Sequence, residues 1–311
     1  MKVTELIKNS SKPFTSIEII PPRKGTRMEA LFGELEGLMR HKPAFMSVTS
    51  HAHERSVEVV EGRKVERIKH KRLDTNAICI AAQTRFGITP TPHLICRGFT
   101  KDETEDVLLT LRFHGIENVL ALRGDGAATP HETFANEHAS DLVKQIVRMN
   151  NGIYLDSIEG AEKTDFCIGV AGYPEKHFEA PDMETDLTYL KKKVDAGAHF
   201  IITQMFFDND TFYRFREDVA RIGIAVPIIP GIKPLYKKQH LEALPKIFYT
   251  KIPQAVQDSI LRYDNPDDVY RAGIEASIAQ CKDLLANDVP GIHFYSMSVA
   301  KPTSDVLDGL K

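Results

Sequence analysis

Glu18 stands between Ile17 and Ile19 in a β-rich run, Thr15 to Ile20, that Pro21-Pro22 stops. A carboxylate in that setting is either on an exposed face or held as a functional group. In the second case desolvation would raise its pKa and make it a candidate general acid. A second set follows the apolar run Val119 to Leu122: a cation, a glycine and a carboxylate, Arg123-Gly124-Asp125. The carboxyl end of a strand buried on both faces is where α/β folds bind ligands. Glycine there lets the backbone approach a ligand closely. Asp186, Tyr189 and Lys193 are spaced to share one helix face. Such a face is either solvated with a weak ion pair or a grip on a nucleotide. His51 and His53 alternate like metal ligands on a strand, yet no carboxylate–histidine set accompanies them, and no metal is expected.

Strands and helices must position these groups. Further β-rich runs are Phe45 to Thr49, Pro92 to Cys96, Val119 to Leu122, Phe166 to Ala171, Phe200 to Gln204, Val226 to Gly231 and Gly291 to Ser296. Between them the spacing of apolar residues predicts helices over Met28–Met39, His138–Met149, Met183–Ala196 and Asp208–Ile222. Thr100 and Glu103 form a capping box, which starts another helix running to about Phe113. Helical pieces follow at His240–Phe248, Pro253–Leu261 and Asp267–Leu285. The charged stretch Glu54–Lys71 predicts mostly helix, interrupted at Gly62, and Ile78–Gln83 a helix or a short extra strand. Loops are expected from Asp125 to Glu137, with Pro130 and His131, and from Asn150 to Thr164, and a final turn over Asp305–Leu310.

Eight β-rich runs alternating with helices predict an α/β fold, a (β/α)8 TIM barrel with additional helices. Its strand ends would bring Glu18, Thr49, the segment after His93, Arg123 to Asp125, Tyr173 to His177, Gln204, Gly231 and Tyr295 to one mouth. The rival doubly wound fold rests on Gly124-x-Gly126. It fails because Thr129 replaces the third glycine and Pro130 follows. No Walker loop, Gly-x-Ser-x-Gly turn or HExxH pair is present.

The 311 residues are 42% apolar and 27% charged, with net charge −3. That balance suits a soluble globular protein without a nucleic-acid partner. The apolar runs are too short to span a bilayer, and the polar start is not a signal segment, so a cytoplasmic location is expected. Cys79, Cys96, Cys167 and Cys281 lack metal or redox spacing and are expected as buried thiols.

Several runs resemble the methylenetetrahydrofolate reductase family. They are Ser16-Ile17-Glu18-Ile19-Ile20-Pro21-Pro22-Arg23, Ser47-Val48-Thr49, Pro92-His93-Leu94 and Ala121-Leu122-Arg123-Gly124-Asp125. Next come Val170-Ala171-Gly172-Tyr173-Pro174-Glu175-x-His177, Lys193 to Ala198, Ile202 to Asp208, Ile229-Pro230-Gly231-Ile232 and His293-Phe294-Tyr295. The resemblance covers nearly the whole chain in order. It implies a barrel that binds FAD across its mouth and uses NADH or NADPH to reduce 5,10-methylenetetrahydrofolate to 5-methyltetrahydrofolate, in one-carbon metabolism and methionine biosynthesis. By position, Glu18 is implied as general acid and Asp125 as the ionised contact to both flavin and folate. Gln204 and Gln239 fall at substrate contacts. Thr49, Ser50, His93, Arg123, Gly124, Ala139, Tyr173, His177, Ala180, Asp186, Tyr189, Lys192 and Lys193 fall at FAD contacts. The family's bacterial members often place an arginine after the eighth strand, where this chain has Val299, with Lys301 nearby. The loop after Gly231 is one residue shorter than theirs. The expectation is one barrel over residues 1–311 without a regulatory domain, acting as a homo-oligomer on small molecules. Alternatives are a proline-dehydrogenase-like flavin barrel acting on another amine, a methyl-transferring folate barrel, or a non-catalytic pterin- or flavin-binding subunit.

Overall fold

The computed structural model describes residues 1–52, 54–125 and 134–311. His53, Thr129, Pro130 and His131, which the sequence reading singled out, lie outside the described residues. The chain begins with α1 (Val3–Asn9), β1 (Phe14–Ile19), α2 (Met28–Met39), β2 (Phe45–Val48), β3 (Glu54–Val60) and β4 (Arg63–Lys69). It continues through α3 (Thr75–Phe86), β5 (Thr89–Ile95), α4 (Lys101–Phe113), β6 (Asn118–Leu122), α5 (Ala139–Asn150), β7 (Cys167–Gly172) and α6 (Met183–Asp195). Then come β8 (Phe200–Met205), α7 (Asn209–Arg221), β9 (Ile228–Ile232), α8 (His240–Phe248), α9 (Gln254–Leu261), α10 (Pro266–Ala286), β10 (Gly291–Tyr295) and α11 (Ala300–Asp308).

β1, β2 and β5 to β10 pair in parallel and close into the expected eight-stranded barrel; β1 meets both β10 and β2. Alternation along each strand sorts the side chains. Ile17, Ile19, Met46, Val48, Val119, Ala121, Ile168, Val170, Ile292 and Phe294 pack with the helices in the main core. The other parity faces the barrel interior, and its polarity rises along the strands. At the amino end Phe14, Phe45, Leu120 and Phe200 form an apolar floor with Val3. One step up, Ser16, Ser47 and Thr91 are fully buried. Another step brings Glu18, His93 and Gln204 to the mouth. The interior is too narrow for a side chain everywhere. A Cβ on Gly169 would sit 2.4 Å from the Phe200 ring, and one on Gly231 would sit 2.3 Å from the Thr203 carbonyl oxygen.

Three elements differ from the expectation. The stretch Glu54–Lys71 is an antiparallel hairpin, β3–β4, rather than helix. Its valines recur with the strand period, and Glu61-Gly62, both at positive φ (49° and 77°), make the two-residue turn that a hairpin favours. Charge density had masked the alternation. α1 also arises where only a polar lead-in was expected. Its Val3 is fully buried, and the Val3 N–H donates to Asn118 Oδ1 at 2.8 Å, which pins the helix under the barrel. The final turn is a full helix, α11, beginning at Ala300. Elsewhere α3 decides for helix over strand, and the Thr100/Glu103 box caps α4 as expected. All four cysteines are buried and free. No helix among the described residues is long and apolar enough to cross a membrane.

Candidate active site

A cavity of about 650 Å³ opens at the carboxyl ends of the barrel strands. Its wall takes Glu18 from β1, His93 from β5 and Gln204 from β8. The segments just after β2, β6 and β7 add Thr49 and Ser50, Arg123 to Asp125, and Tyr173 with His177. Residues far apart in sequence thus meet because each ends a neighbouring strand.

Glu18 is 8% exposed, and its Oε2 lies 3.3 Å from His93 Nε2 and 3.8 Å from His293 Nε2. Ser16 Oγ fixes His293 by a 2.9 Å hydrogen bond to Nδ1, and the ring stacks on Phe45. The expected rise in the pKa of Glu18 is overturned. Burial does push it up and is the largest single influence, but His293 and His93 together outweigh it and hold the carboxyl at about 2. The isoleucines that suggested the rise point to the helix layer. The face that Glu18 itself occupies is lined by imidazoles from β5 and β10. Burial also lowers the pKa of His293, against the pull of Glu18.

Arg123 pairs with Glu179 at 2.6 Å, which raises its pKa. Gly124 has φ +85°, and a Cβ there would lie 3.2 Å from both Arg97 Cβ and Ile95 Cβ. Backbone sign and space both demand glycine at this turn. Asp125 follows at the cavity wall.

The helix face Asp186/Tyr189/Lys193 divides. Asp186 is 7% exposed, and its Oδ2 accepts the His177 N–H at 3.1 Å. Lys193 Nζ donates to the Ala171 carbonyl at 2.6 Å and lies 5.8 Å from the Tyr173 ring centroid. Burial pulls this lysine down to about 8, with Asp186 opposing, and burial raises the carboxyl of Asp186. These groups clamp α6 to the end of β7, so they do not form a solvated ion-pair face. Tyr189 is half-exposed beside Lys192, 5.4 Å from its ring centroid. Ala180 is buried in the same loop and its N–H donates to the His177 carbonyl. Ala139 opens α5 and Gln239 precedes α8, and neither lines the cavity.

Several wall groups went unassigned in the sequence. His70, Lys71 and Arg72 at the foot of the hairpin border the cavity, and Arg72 Nη1 donates to the Pro21 carbonyl. Tyr295, expected at the mouth as a strand end, borders it as well, with its hydroxyl donating to the Thr203 carbonyl at 2.7 Å. Lys233, also unassigned, is buried just past β9 and is not among the residues lining the cavity. Its signal was present: a lone cation between Ile232 and Pro234, the same kind of interruption that exposed Glu18.

The family model described as Methylenetetrahydrofolate reductase matches residues 2–311. Methylenetetrahydrofolate reductase 1 of Schizosaccharomyces pombe is 31% identical over 300 residues, covering 95% of this chain and 45% of that protein. Methylenetetrahydrofolate reductase (NADH) 1 of Arabidopsis thaliana is 32% identical over 330 residues, covering 100% and 51%. The chain thus spans about half the length of these curated relatives. The 5,10-methylenetetrahydrofolate reductase of Escherichia coli is 31% identical over 287 residues, covering 92% of this chain and 86% of that one. Among solved structures, an uncharacterized protein from Clostridium thermocellum that binds two copies of 5-methyl-5,6,7,8-tetrahydrofolic acid superposes with TM-score 0.61. It is 14% identical, with 98% of this chain and 99% of that one covered, and shares the fold.

Proposed function

Because the chain belongs to the methylenetetrahydrofolate reductase family, we propose that it reduces 5,10-methylenetetrahydrofolate to 5-methyltetrahydrofolate, with NADH or NADPH as reductant and FAD as resident cofactor. The observation that carries the reading is one cavity holding Glu18, buried against two imidazoles, and Asp125 at another strand end.

The residues present fit a flavin nucleotide. Thr49 Oγ1 is a buried polar atom without a hydrogen-bond partner among the described residues, and Thr49 lines the cavity. Gly124 lines the same cavity. Thr49, Ser50, His93, Arg123, Gly124 and Asp125 would hold one part of the cofactor, and Tyr173, His177 and the α6 group the other. When bound, FAD supplies the hydride relay between the nicotinamide and the folate.

The chain's own residues supply charge and protons. Opening the folate's five-membered ring to an iminium cation requires a proton on the leaving nitrogen. Glu18 is ionised at neutral pH, so a proton entering this site is shared between its Oε2 and the imidazoles 3.3 Å and 3.8 Å away. The group acts as one acid. Asp125 supplies the anion that stabilises the developing cation. Gln204 accepts the Met205 N–H on its Oε1 at 2.9 Å, which leaves its amide NH2 to donate to a ligand.

Anaerobic absorbance of the FAD-loaded protein tests the reading. NADH or NADPH is expected to bleach it, and methylenetetrahydrofolate to restore the colour. Colour that returns with oxygen but not with the folate would refute the substrate assignment.

A further inference from the structure

Glu18 is flanked differently on its two sides. Toward β10 the polar groups are paired: Ser16 and His293 are partners in the strand register, and Ser16 Oγ bonds His293 Nδ1 at 2.9 Å. Toward β2 and β5 two hydroxyls are not. Ser47 Oγ and Thr91 Oγ1 have no hydrogen-bond partner among the described residues, and both residues are fully buried. Proteins rarely leave such groups unpaired, because an unmet buried hydroxyl is costly; where protein atoms do not serve, ordered water does.

The strand register makes the two hydroxyls neighbours. Glu18 lies alongside Ser47, and Ser47 alongside Thr91. Phe45 belongs to the apolar floor inside the barrel, whereas Met46 and Val48 belong to the helix layer, so alternation turns Ser47 inward. Thr91 stands two residues before His93, whose ring reaches Glu18, so it shares that inward face. Side chains on adjacent strands stand about 4.8 Å apart. That is too far for a direct hydrogen bond and suits one water held between two oxygens. The strand order also sets what lies above. β2 separates β1 from β5, yet His93 Nε2 of β5 comes within 3.3 Å of Glu18 Oε2 of β1. The pair therefore spans the interior face of β2 and roofs the two hydroxyls, while the floor that holds Phe45 lies below them.

We propose that Ser47 and Thr91 bind a buried water beneath the Glu18–His93 pair, and that this water is a hydrogen-bonding member of the acid. It meets both hydroxyls and keeps bonding capacity for the groups above. Ser47 and Thr91 are then positioning residues that act through the water. The site stands on the strand geometry, whereas its role in the reaction rests on Glu18 serving the folate step. When the leaving nitrogen takes a proton from the group, one O–H or N–H bond of the group breaks and one N–H bond forms on the folate. The water then donates to the carboxylate that remains, which favours its charged form. Glu18 is also faced by His293 and Tyr295 of β10 and, at longer range, by His51 and Lys233, all of which the variants below leave in place.

A crystal structure of the ligand-free protein at atomic resolution reads the site directly. One peak is expected within hydrogen-bond distance of both Ser47 Oγ and Thr91 Oγ1. Thr91→Val exchanges the hydroxyl for a methyl of the same shape. It should remove the peak and lower the urea midpoint, because the water loses a partner; a hydroxyl that held nothing would give a raised midpoint on the same exchange. Ser47→Ala is the second variant, and Thr91→Ser should keep wild-type behaviour. On the FAD-loaded protein, Thr91→Val and Ser47→Ala should move the pH profile of the folate step up by about one unit and leave that of bleaching by NAD(P)H unchanged. No peak in the wild type, or a raised midpoint in Thr91→Val, would overturn the site. A peak together with an unmoved profile in both variants would overturn the water's part in the acid. Normal folate reduction by Glu18→Gln would instead refute Glu18 as the acid and leave the water site standing.

Discussion

At neutral pH Glu18 is a carboxylate, because the imidazoles of His93 and His293 crowd its Oε2. A glutamine in its place keeps the shape but cannot pass on a proton. Glu18→Gln should therefore leave bleaching by NAD(P)H near normal and slow the folate step by at least ~10²–10⁴-fold, the usual contribution of a general acid. Stopped-flow absorbance reads both steps, and an unchanged ratio would remove Glu18 from the chemistry. Asp125 has a different task. In the proposed reaction Asp125→Asn deletes the anion assigned to face the developing cation, so the folate step should fall by roughly 10²-fold or more, the scale for losing one electrostatic stabiliser. Equal slowing of both steps would instead indicate weaker hold on the cofactor.

The strands place these side chains, and two elements show what that placement requires. At Gly231 the backbone of β9 comes so close to β8 that a methyl would lie 2.3 Å from the Thr203 carbonyl and 2.5 Å from the Tyr295 ring. Gly231→Ala should destabilise the fold by about 1–3 kcal/mol, the usual cost of overpacking, measured as a shift of the urea midpoint. An unshifted midpoint would show that β8 and β9 part easily. The hairpin β3–β4 makes the opposite case. Its Val57, Val59 and Val60 are at least half exposed (56%, 70% and 51%), so it adds little to the core. Replacing residues 54–69 by a short Gly/Ser linker should leave the melting temperature within a few degrees while altering ligand affinity, because His70 to Arg72 at its foot border the cavity. The same elements mark what could be read beforehand. The barrel was legible because most of its strands are short, largely apolar runs with a polar end, alternating with helical patterns. The hairpin was not, because lysines, arginines and glutamates on an exposed ribbon mimic a charged helix. Glu18 was legible as a misplaced carboxylate, but its ionisation was not. That depends on His93 and His293, which reach it only when the barrel closes.

Across the whole molecule, the barrel interior passes from an apolar floor to a titratable mouth, and this gradient couples stability to pH. The mouth and its surroundings hold imidazoles neutral. Burial lowers His293 and His177, and His240 is down to about 4 from an ordinary 6.5. Below pH 6.5 the unfolded chain binds protons that the folded chain refuses. Stability is thus fully present above 6.5 and lost as pH falls toward 4. Glu18 continues the loss at lower pH. Its stabilising contribution is complete above its ordinary 4.5 and disappears as pH falls to about 2. On the alkaline side Lys193 and Lys233 act first, since both release protons near 8 in the folded chain, while the unfolded chain keeps them to about 10.5. Stability should then rise slightly from pH 8 to about 9. Beyond that the buried thiols reverse it, because Cys96 is pushed up to about 12 and Cys79, Cys167 and Cys281 are also raised. The melting temperature of the ligand-free protein, taken at fixed ionic strength from pH 4 to 9, is expected to climb most steeply between 4 and 6.5. His240→Phe keeps a ring beside Tyr236 and removes one proton acceptor, so it should flatten part of that climb without lowering the plateau. A profile already flat from pH 4 upward would mean that the imidazoles accept protons inside the fold, and the gradient would then lack the coupling argued for it.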